Sequence, residues 1–276
     1  MEIIDGMANE SDKYGRCLHA QISLGTTSDD RFMPNGYVKA FADMSSLIMT
    51  EKLDGQNNCF KKDGVFARSH AAITAHPWDK PMRERWELIK NDLGDIELFG
   101  ENMYGIHSVA YKKLESYYYL FAVRENGRWF SWEEVKWYAE MFDFPTVPEI
   151  PIKIQLKEFI KGKEGSDENK ILADWITANL GIPWNESINT PGLLGGYDPK
   201  TGADASEGFV IRNIDGYENR NAGVLDVQEN EFNNLFKLVR PGHVKTDEHW
   251  TKNWKPASLI DCSKHKWYGY EYLSVK

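Results

Sequence analysis

Residues 50–57 read Thr-Glu-Lys-Leu-Asp-Gly-Gln-Asn. They decide the fold because one charged side chain, Lys52, sits between an apolar run and a tight acidic turn. The run Leu47-Ile48-Met49 predicts a buried strand from Ser46 to Met49 that would hold the lysine stem. Asp54-Gly55 is a turn pair that would aim the amine. Gly64 to Arg68 reads as the return strand. On its own, a lysine beside a hairpin turn is usually an exposed surface charge. Here it is followed in order by Glu97–Gly105 (ELFGENMYG), Ser206–Arg212 (SEGFVIR) and Phe236–Lys245 (FKLVRPGHVK). Each of these places a charged residue at the end of, or within, an apolar run.

The rest of the chain alternates strand and helix signals irregularly. Asp79-Lys80-Pro81 opens a helix, Met82, Trp86 and Ile89 recur at helical spacing, and Gly94 ends it. Ile96 to Phe99 and Tyr117 to Val123 are strand-like, the second closed by Glu125-Asn126-Gly127. Ser131 and Glu134 form a capping box, predicting a helix from Trp132 to about Phe142. Pro145, Pro148 and Pro151 mark an extended connector. Asp167 to Leu180 reads as an amphipathic helix stopped by Gly181. Residues 185–205 read as a loop, and Phe209–Arg212, Val224–Val227 and Leu235–Val239 as strands. Mixed elements without strict alternation predict an α+β fold built on antiparallel sheets flanked by helices.

Bulk composition narrows the class. Of 276 residues, 41% are apolar and 27% charged, as in a globular protein with a full core. No run of 18 apolar residues predicts a membrane span, and the polar start MEIIDGMANESDK is unlike a secretory signal. Cys17, Cys59 and Cys262 are widely spaced, which points to a reducing, cytoplasmic setting. Cys262 with His265 is too small a ligand set for zinc. The net charge of -9 sits badly with a polyanionic partner, but its distribution matters more than its sum. From Lys237 to Lys276 eight basic side chains face four acidic ones, and Trp250, Trp254, Trp267, Tyr268, Tyr270 and Tyr272 are interleaved with them. Such a tail can hold a strand by charge and stacking, or simply pack a core.

The charged residues suit phosphoryl transfer. A lysine amine attacks phosphorus only when neutral, and its ordinary pKa is near 10.4, so neighbouring cations or a metal must lower it. Asn57 could bond a phosphate end, and Arg68 could fork onto a phosphate or ribose oxygen. Glu101 follows Gly100, whose missing side chain would let a ligand approach. Glu207 could hold a divalent cation. Lys237 and Arg240 would offset charge growing on phosphorus.

The ordered set resembles the covalent nucleotidyltransferases, and most of all the ATP-dependent RNA ligase family, in the branch typified by phage RNA ligase 2 and the editing ligases. The first motif of that family often reads TEK-x-[HD]-G-x-N, and residues 50–57 here read TEKLDGQN. The resemblance implies Lys52 as the adenylated nucleophile, with Glu207 and Lys237 as the other catalytic groups and Glu207 as the metal ligand. It implies Glu51, Asn57, Arg68, Glu101, Phe121, Val210 and Arg240 as nucleotide contacts. The adenine would meet Phe121 or Val123 from one side and Phe209 or Val210 from the other. Val239 stands where the fifth motif commonly has a second lysine, so Arg240 or Lys245 would take that role. The implied cofactors are ATP and Mg²⁺ or Mn²⁺. The implied partners are nucleic-acid ends, whether RNA, RNA–DNA or DNA, with no membrane and no protein partner. A single adenylation domain is expected, its core at about 45–245. Too few residues follow Arg240 for an OB domain, leaving strand recognition to the aromatic tail at 246–276. DNA ligases and capping guanylyltransferases share the lysine chemistry, and a non-catalytic end binder could share the fold.

Overall fold

The computed structural model describes residues 14, 17–28, 30–68, 70–218, 234–241 and 250–260. The expected strand at 224–227, Lys245, Cys262, His265 and the aromatic residues beyond Ile260 lie outside the described residues. In chain order the strands are β1 (Leu18–His19), β2 (Leu47–Lys52), β3 (Gln56–Lys61), β4 (Gly64–Ala67), β5 (Ile96–Asn102), β6 (Ala110–Tyr111) and β7 (Tyr118–Glu125). There follow β8 (Arg128–Trp129), β9 (Glu149–Ile150), β10 (Gly196–Tyr197), β11 (Gly208–Asn213), β12 (Tyr217–Glu218) and β13 (Leu235–Val239). The helices are α1 (Tyr37–Ala42), α2 (Lys80–Ile89), α3 (Trp132–Met141), α4 (Leu156–Phe159), α5 (Glu168–Leu180) and α6 (Trp184–Ser187). No helix among the described residues is long and apolar enough to cross a membrane.

Two sheets carry the architecture. The first has the order β1-β13-β11-β2-β9 and is antiparallel except where β1 runs parallel to β13. The second, β12-β8-β7-β5-β3-β4, is antiparallel throughout. This is the α+β class that the mixed pattern predicts.

The alternation of side chains in β2 sends its residues to two different places. Leu47 and Met49 join a core capped by α1, α4 and α5, with Phe41, Leu156, Trp175, Ile211 and Phe236. Phe236 meets Tyr37 and Phe41 edge-on, at 5.4 and 4.7 Å between centroids. Ile48 points the other way, into a second core built on β3, β5, β7, α2 and α3. Each fully buried aromatic or aliphatic side chain contributes about 1.5–3 kcal/mol. In register, Met49, Ile211 and Phe236 line up across the helix-covered face. Thr50, Val210 and Lys237 form the adjacent row, which faces the other way.

The caps behave as the sequence predicts. Ser131 and Glu134 make both bonds of the capping box at the start of α3. Asp167 accepts from the Asn169 N–H ahead of α5, and Gly181 closes that helix in the left-handed region at φ 80°.

Four features depart from the sequence reading. β3 was not foreseen, because Gln56-Asn57-Asn58 is a poor strand former. Pairing with β4 on one edge and β5 on the other overrides that preference. β5 runs on to Asn102, so Glu101 lies inside the strand and directly opposite Asn57. Residues 185–205 hold part of α6 and all of β10 as well as loop. Gly100 makes room for the Tyr118 ring, which any Cβ there would overlap, and not for a ligand.

A bulge completes the frame. Phe99 pairs with Ala122 and Gly100 with Leu120, which leaves Phe121 as the extra residue in β7.

Candidate active site

A cleft of about 760 Å³ opens between the two sheets. The first sheet lines it with Lys52, Val210, Arg212 and Lys237. The second supplies Gln56, Asn57, Glu101 and Phe121, and Arg68 follows the end of β4. The bulge explains Phe121: one extra residue re-aims a side chain that strict pairing would hold elsewhere. Val123 is fully buried in the core instead.

Lys52 is the last residue of β2 and pairs in register with Gly208, the first of β11. That pairing brings the preceding residue, Glu207, to the lysine. Its Oε1 lies 2.6 Å from Lys52 Nζ. Asp54 is fixed by Ser108 Oγ at 2.6 Å and the Val109 N–H at 2.8 Å. Glu101 Oε1 accepts from the Gly55 N–H at 3.0 Å.

The charge state of Lys52 differs from the sequence expectation of a neutral amine. Burial disfavours its charge, but the carboxylates of Glu207, Glu101 and Asp54 outweigh burial and raise its pKa. The protein without ligands therefore holds an ammonium. Glu101 is pushed up to about 7 by burial, against the opposing pull of Lys52. Lys237 is lowered, by burial first and then by the Lys52 charge. Asp30 Oδ1 lies 3.9 Å from its Nζ and 3.1 Å from His19 Nε2.

Two expected nucleotide contacts stand elsewhere. Glu51 borders the cleft, but its carboxylate takes the pleat opposite Lys52, where Oε2 accepts from the Leu193 N–H at 2.9 Å. Arg240 is not among the lining residues and reaches Ser108 Oγ at 3.4 Å.

Over residues 45–239 the chain matches the RNA ligase family. It belongs to that family. No curated protein matches it. Among solved structures it is similar to a ligand-free mutant of Naegleria gruberi RNA ligase, with 14% identity and a TM-score of 0.45 over 83% of this chain and 59% of that one. A mutant of the same protein with ATP and Mn gives 15% identity, TM-score 0.44, and 83% and 60% coverage. An archaeal ATP-dependent RNA ligase gives 11% identity, TM-score 0.41, and 73% and 45% coverage. The chain thus spans about six-tenths or less of the length of these proteins.

This RNA ligase family member also lines its cleft with residues that the sequence reading passed over. Arg212 is the one with a readable signal, since it lies two residues past Val210 and so on the same face. Its guanidinium donates to the Phe121 carbonyl at 2.5 Å, tying the two sheets together. Tyr14 meets Phe121 edge-on at 5.2 Å. Cys17, His76, Trp78, His107 and Thr251 complete the walls. Burial raises the Cys17 thiol to about 11, so this thiol stays protonated at neutral pH.

The site can accept an oxygen-bound cation. Glu207 Oε2 and Asn57 Oδ1 are buried and have no hydrogen-bond partner among the described residues. Among the described residues no group of three His, Cys, Asp or Glu could hold a metal by itself. A single carboxylate completed by phosphate oxygens is the arrangement that Mg²⁺ or Mn²⁺ commonly takes. Glu207 fits that role.

The RNA ligase fold also stores a pH dependence in Glu51. Burial raises its carboxyl from 4.5 to about 7, against hydrogen bonds from Leu193 and Leu194. A carboxyl raised on folding costs nothing below pH 4.5, where both states are protonated. Between about pH 4.5 and 7 the unfolded chain ionises while the folded one stays protonated, so stability falls across that window and levels off above it. The full effect is at most about 3 kcal/mol. Glu51→Gln should therefore raise the melting temperature relative to wild type at pH 8 and change it little at pH 5. Thermal melts at both values test this, and an equal change at both pH values would contradict it.

Proposed function

We propose that this chain is an ATP-dependent RNA ligase that joins a 5'-phosphate to a 3'-hydroxyl through a lysyl-AMP intermediate. The single observation that carries the reading is the amine of Lys52, 2.6 Å from Glu207, inside a cleft shared with Glu101, Arg68 and Lys237. Family membership supports it. We take residues 45–245 as the core of one adenylation domain.

Phe121 and Val210 would hold the adenine between the sheets, and Glu101 a ribose hydroxyl. Asn57 and Arg68 would hold the phosphates. A divalent ion on Glu207, when bound, would neutralise phosphate charge and compete with the ammonium for the same carboxylate. Lys52 gives up its proton to solvent, and its Nζ attacks the α-phosphorus. The bond to the β-phosphate oxygen breaks and pyrophosphate leaves. Lys237 offsets the negative charge that grows on the phosphoryl oxygens.

In the second step an oxygen of the RNA 5'-phosphate attacks the same phosphorus. The P–N bond breaks, the lysine regains its proton, and the RNA end carries AMP. In the third, the 3'-hydroxyl attacks the activated phosphate, gives up its proton and expels AMP. The free thiols Cys17 and Cys59 are in keeping with a reducing compartment.

The test supplies ATP and Mg²⁺ with 5'-phosphorylated RNA, nicked or single-stranded. Joined product and 5'-adenylated RNA are expected. Labelling by GTP in place of ATP would favour a capping enzyme, and joining of DNA alone a DNA ligase. No AMP transfer to any end would contradict the proposal.

A further inference from the structure

The cleft continues into an aromatic wall that the lysine chemistry does not use. His76 and Trp78 line it, with rings nearly parallel at 4.6 Å and 11°. His76 is exposed and Trp78 half-buried. The turn that carries them is pinned to the strand bearing Glu101. Asn102 Nδ2 donates to the Trp78 carbonyl and to Asp79 Oδ1, both at 3.1 Å. Arg83 donates to the His76 carbonyl at 3.0 Å.

A distant segment extends this wall. Residues 250–260 fold back beside the cleft, where Ala257 N–H bonds the Tyr104 carbonyl at 2.7 Å and Ile106 N–H the Lys255 carbonyl at 2.9 Å. This places Trp254 6.1 Å from Trp78 and 5.6 Å from Tyr104, while Thr251 reaches the cleft itself. Lys252 and Lys255, on either side of Trp254, are exposed. Rigid aromatic faces with flanking lysines at the mouth of a phosphate-handling cleft suit an unpaired base and its backbone. They suit it more than charge alone does, because the chain as a whole is acidic at -9.

We propose that His76, Trp78 and Trp254 form a stacking platform for the unpaired bases next to the 5'-phosphate that enters the cleft. This rests on the ligase reading for the identity of the strand. The platform binds bases of any sequence, since every base offers a flat face. It acts in strand binding and not in attack on ATP.

The test uses the full chain and a fluorescent single-stranded RNA with a 5'-phosphate, read by fluorescence anisotropy. Trp254→Ala and His76→Ala should each weaken binding about tenfold, the scale of one lost base stack. Trp254→Phe should bind like the wild type. A second RNA, abasic at its two 5'-terminal positions, separates stacking from folding. It should bind the wild type about a hundredfold more weakly than the intact strand, the loss of two stacks, but Trp254→Ala only about tenfold more weakly than the intact strand does. Covalent labelling by ATP should be unchanged in Trp254→Ala. If both alanine variants bind the intact strand as the wild type does, the platform is overturned. It is also overturned if the abasic penalty is the same in wild type and Trp254→Ala, or if the wild type binds no strand. Failure of the wild type to take label from ATP would instead sink the ligase reading, leaving a stacking result to stand by itself.

Discussion

Lys52→Ala should take up no AMP from α-labelled ATP, a loss on the order of a thousandfold or more in labelling rate. Loss of charge alone would not explain it. The lysine lies 2.6 Å from Glu207, so alanine removes both a nucleophile and an ion-pair partner. Lys52→Arg separates the two. A guanidinium can keep the pair but does not deprotonate in a protein, so it cannot attack phosphorus. Both variants should be equally dead in labelling, while Lys52→Arg should melt closer to wild type. The charge state predicts a further signature in the wild type. The surrounding carboxylates hold Lys52 protonated, so its neutral fraction, and the labelling rate with it, should climb with pH by up to about tenfold per unit. Initial rates from pH 6 to 9 check this. A rate that is flat or falls with pH would show that the proton on Lys52 is not the barrier.

Lys237→Ala should slow labelling by about a hundred- to a thousandfold while leaving the fold intact. Lys237 lies on β13 opposite Val210, in the row that faces the cleft, and its neighbours on the strand fill the helix-covered core. Truncating it removes a cation from the cleft without opening that core. Its pKa is already lowered by burial and by Lys52, so the protein holds this charge at a cost that binding a polyphosphate would offset. Saturating ATP should not rescue the rate if the charge acts on the transition state. Full recovery at high ATP would assign Lys237 to ground-state binding instead.

Much of this arrangement was readable because strands announce their faces. The apolar run before Lys52 fixed a buried strand, and the ordered charged residues marked the strands that converge on it. The period-two rule alone was not enough for Glu51 and Arg212: only the folded register shows Glu51 on the far pleat, bonded to Leu193, and Arg212 on the near one. β3 was hidden because its polar residues form a strand only when neighbours pair on both edges. The bulge that frees Phe121 depends on the offset between β5 and β7, which neither strand's own sequence encodes. The charge of Lys52 was misread for a similar reason. It is set by Glu207, Glu101 and Asp54 together, and their convergence exists only in the folded chain. Tyr14, His76 and Thr251 are far apart in sequence and carry no shared pattern, so only the fold shows that they line one cleft.

The most direct measurement locates the bond itself. Wild-type protein is reacted with ATP and Mg²⁺, denatured, digested at neutral to alkaline pH and mapped by mass spectrometry. The account predicts AMP on the peptide containing Lys52, joined to its side-chain nitrogen and released by acid. AMP on another residue, or no covalent adduct, would contradict it.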